Sequence, residues 1–382
     1  MKKFIQWSIT LLLLPLLAGC GNFGESSLSN HITNSSKTKK TMTTGPSKSG
    51  QYSTLLQDGK YHVSPIAGLT SSSDNENNNN LQAFETGLLA ISKKEYSPDK
   101  YYFQEGKLIS APVAQKWLAR KSANNPQGLN PTDNGEKDPN KRNPIYLQQL
   151  LEQDFYTQSE KNYKLSGVTI GLSLNDIDYY RKEQYGSTFE TKITDSQRAD
   201  HGKKMANEII QRLRQQNNLT QVPITIGLYK QNVNDSLVGG SYFAYGVAKA
   251  GQKTITDWST IHQQNQVLPV VGNEDPINTT DADNFSNFKN TIQNYFPNLS
   301  GVTAQTHYED GTLSGMVITI NTQFYGSAQI SSFTQFVQDA ANKYLPQQPA
   351  IEIRIQTVQQ MQALLTKDSN NKQYNSHVFT SY

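Results

Sequence analysis

Apolar side chains recur every three or four residues in six segments, the spacing that places them on one face of an α-helix. The longest series is Phe333, Phe336, Val337, Ala340, Ala341 and Tyr344. The other five run from Phe84 to Ile91, Val113 to Leu118, Leu147 to Phe155, Met205 to Leu213 and Phe285 to Tyr295. The pattern therefore predicts six amphipathic helices.

Strands are predicted where turn residues separate short apolar runs. Asp310-Gly311 lies between the runs 302–308 and 316–320, and Asp-Gly is a typical turn of β-hairpins. Residues 104–107 lie between the runs 101–103 and 108–109 and predict a second hairpin. Gly239-Gly240-Ser241 resembles a nucleophile turn, but we interpret it as a turn that leads into a strand over 242–247.

Several motifs occur twice in the same order. Leu-Ser-Gly-Val-Thr stands at 165–169 and at 299–303, and Tyr-Gly-Ser at 185–187 and at 325–327. A helical stripe precedes each copy, and a second helix, a proline and a strand follow it. We therefore predict an α+β fold with two pseudo-repeated α-β-β-α-β halves, preceded by a smaller α/β N-terminal segment. A cleft between the halves is the expected place for a ligand.

The predicted repeat divides the body of the chain. Residues 51–140 form the N-terminal α/β segment, 141–280 the first repeat and 281–366 the second, with 367–382 as a C-terminal tail. The first boundary follows from residues 122–144, which contain four prolines together with Asn, Asp and Gly.

The N-terminus has the pattern of a bacterial lipoprotein signal. Lys2 and Lys3 precede an apolar run over 9–17, and the run ends in Leu17-Ala18-Gly19-Cys20. We predict a signal peptide over residues 1–19, cut between Gly19 and Cys20 by signal peptidase II, with a diacylglyceryl group attached to Cys20 by lipid-transfer enzymes. Residues 20–50 are rich in Ser, Thr, Asn, Gly and Lys and predict a disordered, lipidated tether. The body would then lie on the extracytoplasmic face of the cell membrane.

The net charge and the cysteine content exclude some kinds of partner and site. The net charge is +3, and removal of Lys2 and Lys3 leaves 33 basic against 32 acidic residues, or +1. This balance argues against nucleic acid as a partner. Cys20 is the only cysteine, so a disulfide framework and a reactive thiol in the body are excluded.

The candidate chemistry of the body is sparse. No histidines stand at metal-ligand spacing among His31, His62, His201, His262, His307 and His377. Residues 246–254 resemble a phosphate-binding loop but contain one extra residue, Gln252. Two carboxylate pairs, Asp176 with Asp178 and Glu309 with Asp310, are of a kind found in any chain, and the second is explained by the predicted hairpin turn. Five tyrosines could stack on a glycan, but most of them are interpreted as strand residues with one exposed edge: Tyr179, Tyr180, Tyr185, Tyr242 and Tyr325. We therefore predict no catalytic residue, metal or cofactor.

The chain resembles the CamS family of Firmicutes lipoproteins, described as sex pheromone precursors. The resemblance rests on the lipoprotein signal, the helix from Phe84 to Leu89, Gln104-Glu105-Gly106, residues 143–147 and the paired motifs, and it covers about residues 1–366. It implies that a protease trims the leader to an apolar octapeptide, here Leu12 to Gly19, which a receptor of a neighbouring cell senses.

Two interpretations of the leader and three of the body stay open. The leader could serve as a signal or only as an export sequence. The body could be a binding module of unknown ligand, a cell-envelope enzyme acting on glycan or peptide, or a solute-binding lipoprotein.

Overall fold

The computed structural model describes residues 41–45, 50–71, 77–160, 162–272, 274–295 and 301–380. The predicted leader, the cleavage site and Cys20 lie outside the described residues. In the described part the fold is α+β and contains two similar halves, as predicted.

Five α-helices are present in the described part of the chain. They are α1 Asn78–Glu95, α2 Ala111–Leu118, α3 Asp195–Leu213, α4 Thr279–Tyr295 and α5 Ser327–Tyr344. All five coincide with apolar stripes predicted from the sequence. Pro112 lies in the first turn of α2, where its missing N–H costs no hydrogen bond.

The first half is built on a six-stranded sheet. Its strands, in spatial order, are β4 Tyr102–Glu105, β5 Leu147–Ser159, β6 Asn162–Leu174, β9 Ile224–Lys230, β10 Ser241–Ala248 and β11 Trp258–Thr260. Only β6 and β9 pair in parallel, and α3 connects them. A two-stranded sheet of β7 Ile177–Arg181 and β8 Thr188–Lys192 follows β6. The N-terminal strands β1 Thr41–Thr43, β2 Leu55–Gln57 and β3 Lys60–Tyr61 form a small sheet beside β4.

The second half repeats the order and direction of these six strands. Its sheet contains β12 Gln263–Leu268, β13 Gly301–Glu309, β14 Thr312–Asn321, β15 Ala350–Gln356, β16 Met361–Lys367 and β17 Asn375–Val378. The central pair β14 and β15 is again parallel and connected by one helix, α5. Residues 261–262 alone separate β11 at the edge of one sheet from β12 at the edge of the other.

The prediction of a helix over 147–155 is wrong, because these residues lie in β5. Leu147 and Leu150 join the core beneath α2 and α3, whereas Leu151 and Phe155 face the clusters around α1 and Tyr96. A strand covered on both faces carries apolar residues without strict alternation, so its pattern can imitate a helical stripe. The first half therefore begins its repeat with two strands.

The two halves are equivalent, but the repeated motifs do not mark equivalent positions. Val168 pairs with Ile224 across the parallel strands of the first sheet, and Met316 pairs with Ile351 across those of the second. Leu165-Ser166-Gly167 therefore corresponds to Leu313-Ser314-Gly315, and the motif at 299–303 is not its partner. The Tyr-Gly-Ser motifs also differ, since 185–187 lie between β7 and β8 and 325–327 lead into α5.

Smaller differences concern the segment boundaries. Strand β4 pairs with β5 and runs on to α2, so the predicted hairpin over 101–109 is wrong. Thr41–Thr43, placed in the predicted tether, forms β1 and pairs with β2. Strand β12 belongs to the second half although it precedes residue 281, and β17 lies in the predicted tail. The hairpin at Asp310-Gly311 is confirmed, with φ values of 50° and 75°.

Candidate functional site

A cleft of about 590 Å³ lies between the two halves. One wall is formed by Gln82, Ala83, Thr86, Gly87 and Ala90 of α1 together with residues 238–242 at the start of β10. The other wall is one face of the second sheet. The volume lies within the range of about 300–1,000 Å³ that is typical of ligand pockets.

The second sheet leaves this face open because its helices cover the other one. Ile351, Ile353 and Ile355 of β15 point into the core that α4 and α5 complete. The residues between them, Glu352 and Arg354, are half-buried on the opposite side and line the cleft. Alternation along a strand thus separates an apolar core from a polar binding surface.

Strand pairing aligns polar side chains across the open face. Gln305 is paired with Val317, Val317 with Glu352, and Glu352 with Thr366. Adjacent strands lie about 4.8 Å apart, so this row spans about 14 Å. The row supplies amide, carboxylate and hydroxyl groups around one aliphatic side chain.

Helix α1 occupies the corresponding face of the first sheet, where glycines permit close packing. A Cβ on Gly171 would lie 2.7 Å from Cε2 of Phe84, and a Cβ on Gly167 would lie 2.3 Å from Cε1 of Tyr96. Tyr242 is buried and donates a hydrogen bond of 2.8 Å from its hydroxyl to the carbonyl of Phe84. The first half therefore holds α1 firmly, and the outer side of α1 faces the second sheet.

Residues 237–240 connect α1 to both halves. The Oδ1 atom of Asn80 accepts hydrogen bonds from the backbone N–H groups of Asn232 (2.9 Å) and Gly240 (2.8 Å). From the second half, Gln305 Nε2 donates to the carbonyl of Leu237 at 2.6 Å. The position of the cleft walls thus depends on side-chain amides at this junction.

Asn265 extends the junction into the cleft. Its Nδ2 donates to the carbonyls of Gly239 (3.0 Å) and Gly240 (2.7 Å), which leaves Oδ1 as an acceptor. His307 Nδ1 lies 2.5 Å from this Oδ1 and therefore carries the proton. His307 Nε2 lies 3.6 Å from Oε1 of Glu309, beyond hydrogen-bond distance, and this Oε1 accepts a hydrogen bond from Gln263 Nε2 at 3.0 Å.

Arg354 has a different arrangement. Its Nε donates to Oε1 of Glu352, two residues earlier on the same face of β15. Among the described residues, no acceptor contacts its terminal nitrogens Nη1 and Nη2. The side chain is 42% exposed. Glu352 therefore fixes the guanidinium plane and leaves its fork of N–H donors available.

The predicted chemical residues do not gather in the cleft. Of the described histidines, only His307 lines it; His201, for example, stacks on Tyr146 with ring centroids 3.7 Å apart. Asp178 is buried and paired with Arg142 at 2.6 Å, whereas Asp176 pairs with Arg198. The described residues contain no cluster of three metal-ligating side chains, and no helix in them is long and apolar enough to cross a membrane.

The five tyrosines considered for glycan stacking are dispersed as well. Tyr242 contributes to the cleft wall but is buried between Phe84 and Tyr229. Tyr185 is 89% exposed in the connection between β7 and β8, and Tyr325 is 66% exposed before α5. The cleft therefore presents no open aromatic platform from this set.

A second group of polar residues lies inside the first half, away from the cleft. Glu152 and Asp154 of β5 are 1% and 0% exposed. Burial raises the pKa of the Glu152 carboxyl, although backbone N–H groups of Leu108 and Ile109 donate to it at 2.7 and 2.8 Å. Burial and the neighbouring charge of Glu152 raise the pKa of Asp154 well above its usual range. Both carboxyl groups are thus closed off from solvent.

Comparison with known proteins identifies the family. The family model described as "CamS sex pheromone cAM373 precursor" matches residues 61–373, more than four fifths of the chain. The chain belongs to the CamS family. The match covers the cleft and both halves except β17, and it leaves the leader and Cys20 outside its range. A comparison with curated proteins gave no match.

Two solved structures of sex pheromone precursors resemble this one. A sex pheromone precursor from Lactobacillus salivarius subsp. salivarius UCC118 is 43% identical, with a TM-score of 0.85 over 90% of this chain and 100% of the other. The C-terminal domain of the sex pheromone staph-cAM373 precursor from Staphylococcus aureus is 31% identical, with a TM-score of 0.68 over 80% of this chain and 98% of the other. The fold of this chain is therefore similar to the folds of these two proteins.

Sequence reasoning missed the cleft residues Asn265, Glu352 and Arg354. The strand sequence Ala-Ile-Glu-Ile-Arg-Ile-Gln alternates strictly between apolar and polar residues and could have indicated an open sheet face. Asn265 carries no such signal, because its partners Gly239 and His307 come from separate elements.

Proposed function

We propose that this CamS protein is an envelope lipoprotein made as a precursor, with its leader ending at Gly19 and a diacylglyceryl group on Cys20. The decisive observation is that the only cysteine of the chain directly follows Leu17-Ala18-Gly19 at the end of an apolar run. Small residues before the cysteine allow a peptidase to approach the backbone. Two acyl chains would then hold the folded body on the extracytoplasmic face of the membrane.

Metabolic labelling with a fatty-acid analogue tests this anchor. The wild-type chain should incorporate label, and Cys20→Ala should abolish labelling and leave the leader uncleaved. Ser27→Ala, a nearby substitution outside the signal, serves as the control and should be labelled normally. Label that persists in Cys20→Ala would contradict the proposal.

The cleaved leader is proposed to yield a peptide signal, Leu12 to Gly19, with the sequence LLLPLLAG. Both similar structures are of sex pheromone precursors by description, which supports this assignment. A receptor on a recipient cell would be its partner. Synthetic LLLPLLAG should induce aggregation or conjugation in responsive plasmid-bearing cells, and a scrambled peptide should not. A panel of such cells that shows no response would argue against a signalling role.

The folded body is proposed to bind a ligand in the cleft between the halves. Glu352 lies opposite Val317, whose partner on β13 is Gln305, so Glu352 and Glu309 are about 14 Å apart along the strand direction. Paired carboxylates of glycosidases are separated by about 5–9.5 Å. This spacing, with Glu352 already bonded to Arg354, favours a binding role over glycan hydrolysis by these two residues.

A further inference from the structure

The cleft contains an oriented cationic group without a matching anion on its outer side. The Nε atom of Arg354 is bonded to Glu352, and no described residue accepts from Nη1 or Nη2. A guanidinium fork held in this way matches the two oxygens of a carboxylate, to which it can donate two parallel hydrogen bonds. A ligand carboxylate is therefore the group that would complete this site.

The side chains around Arg354 can contact a short peptide that carries a terminal carboxylate and few other charged groups. Gln82 on α1 and Gln305 on β13 line opposite walls and offer side-chain amides to a peptide backbone. Ala83, Ala90 and Val317 add small aliphatic surfaces between them. Gln305 uses its Nε2 for Leu237, so its Oε1 remains as an acceptor for a backbone N–H.

Cleavage before Cys20 would create a peptide of this kind from the same chain. The segment Leu12 to Gly19 has no charged side chain, and its new C-terminus at Gly19 would be its only carboxylate. Its last residues, Ala18 and Gly19, are small enough to bring that carboxylate close to the wall of the cleft. In the uncleaved precursor the same atoms form a peptide bond and carry no charge.

We propose that Arg354 binds the C-terminal carboxylate of the cleaved leader, with the peptide Leu12 to Gly19 entering the cleft between α1 and the second sheet. This inference rests on the proposed cleavage before Cys20. The body would then distinguish the processed leader from the precursor and retain or present the peptide at the cell surface. Capture of a peptide carboxylate at its terminus is a known mode of peptide recognition.

Fluorescence anisotropy with the mature chain, residues 20–382 carrying Cys20→Ser, tests the proposal. The probes are LLLPLLAG labelled at its N-terminus, with either a free carboxylate or an amide at its C-terminus. The carboxylate form should bind at least about tenfold more tightly than the amide, because charged hydrogen bonds are the stronger ones. Equal affinities for the two forms, or no binding of either, would overturn the proposal.

Three variants distinguish the contribution of the Arg354 guanidinium geometry from the contribution of positive charge alone. Arg354→Gln should weaken binding of the carboxylate form about tenfold or more and leave binding of the amide form unchanged. Arg354→Lys keeps the charge but loses the fork, and it should recover only part of the affinity. Arg181→Gln, an exposed arginine on β7, is the matched control and should bind as wild type. A thermal melt of each variant shows whether the fold is retained.

The source of the peptide is tested separately. A peptide of the cell wall type that ends in D-Ala-D-Ala also carries a free carboxylate, and it should bind more weakly than LLLPLLAG. Tighter binding of that peptide would overturn the assignment to the leader. If LLLPLLAG does not bind although labelling and cleavage at Cys20 are observed, the inference fails and the proposed lipoprotein precursor stands.

Discussion

Glu152 and Asp154 lie two residues apart on β5, and their buried carboxyl groups interact with each other. Glu152 accepts hydrogen bonds from two backbone N–H groups, which stabilise its ionised form. A side-chain hydrogen bond joins the Asp154 carboxyl to Glu152, and the Oδ2 atom of Asp154 lies 3.5 Å from the hydroxyl of Tyr156. Asp154 is therefore the residue that retains a proton in the folded protein.

The pair should make stability depend on pH. A carboxyl of the unfolded chain ionises near pH 4, whereas burial and the charge of Glu152 raise the pKa of Asp154 in the folded state. Above pH 4 the folded state binds more protons than the unfolded state. The free energy of unfolding should therefore fall as the pH rises from 4 towards the raised pKa.

Asp154→Asn should remove this dependence. The amide needs no proton and can still donate to Glu152, so the variant should be more stable than the wild type at pH 8, by about 1 kcal/mol or more. At pH 4.5 its stability should be close to that of the wild type. Urea unfolding at both pH values measures the difference, and a variant that is less stable than wild type at pH 8 would contradict the assignment.

Glu152→Gln should have the opposite effect. A glutamine cannot accept with both side-chain atoms, so its NH₂ group would face the backbone N–H of Leu108 or Ile109. We expect a loss of about 1–3 kcal/mol at all pH values between 5 and 8. The contrast between the two substitutions, measured in the same unfolding experiment, identifies which carboxyl carries the proton.

The equivalence of the two halves gives a prediction with an internal control. Gly167 and Gly315 occupy corresponding positions, but a Cβ on Gly167 would lie 2.3 Å from Tyr96 while a Cβ on Gly315 would meet nothing within 4 Å. Gly167→Ala should therefore cost about 1–3 kcal/mol of stability by displacing Tyr96. Gly315→Ala, which faces the cleft, should be neutral or slightly stabilising. Similar losses in both variants would refute the equivalence.

Secondary structure could be predicted from the sequence wherever the pattern of apolar and polar residues is compatible with only one type of element. The stripes at Phe84 to Ile91 and Phe333 to Tyr344 each fit a helix alone, and Asp310-Gly311 fits a hairpin alone. Residues 147–155 were ambiguous because β5 is covered on both faces, which the local pattern cannot reveal. Because residues 299–303 have the same sequence as 165–169, these two segments were aligned with each other, and the structural equivalent Leu313-Ser314-Gly315 was missed.

The sequence indicated that a cleft lies between the two halves, but it did not indicate which residues line the cleft. Its residues come from α1, the start of β10 and strands β12 to β16, and their approach depends on how the two sheets pack. Alternation in β15 indicates that Glu352 and Arg354 share a face, but the bond between them that orients the guanidinium is a matter of side-chain geometry. The local sequence pattern therefore predicts which residues share a face of β15, but their hydrogen bonds and orientation in the cleft depend on tertiary contacts.

Asn265 provides the test of the junction between the halves. Asn265→Asp keeps the size and the acceptor for His307 but replaces two donated hydrogen bonds with a carboxylate facing the carbonyls of Gly239 and Gly240. We expect a loss of about 1–3 kcal/mol in unfolding experiments. Because residues 261–262 are the short link between the sheets, the variant should also be cleaved faster there by a broad-specificity protease. Asn124→Asp, at an exposed position between α2 and β5, is the control. Unchanged stability together with unchanged proteolysis of Asn265→Asp would mean that this amide does not hold the cleft walls in place.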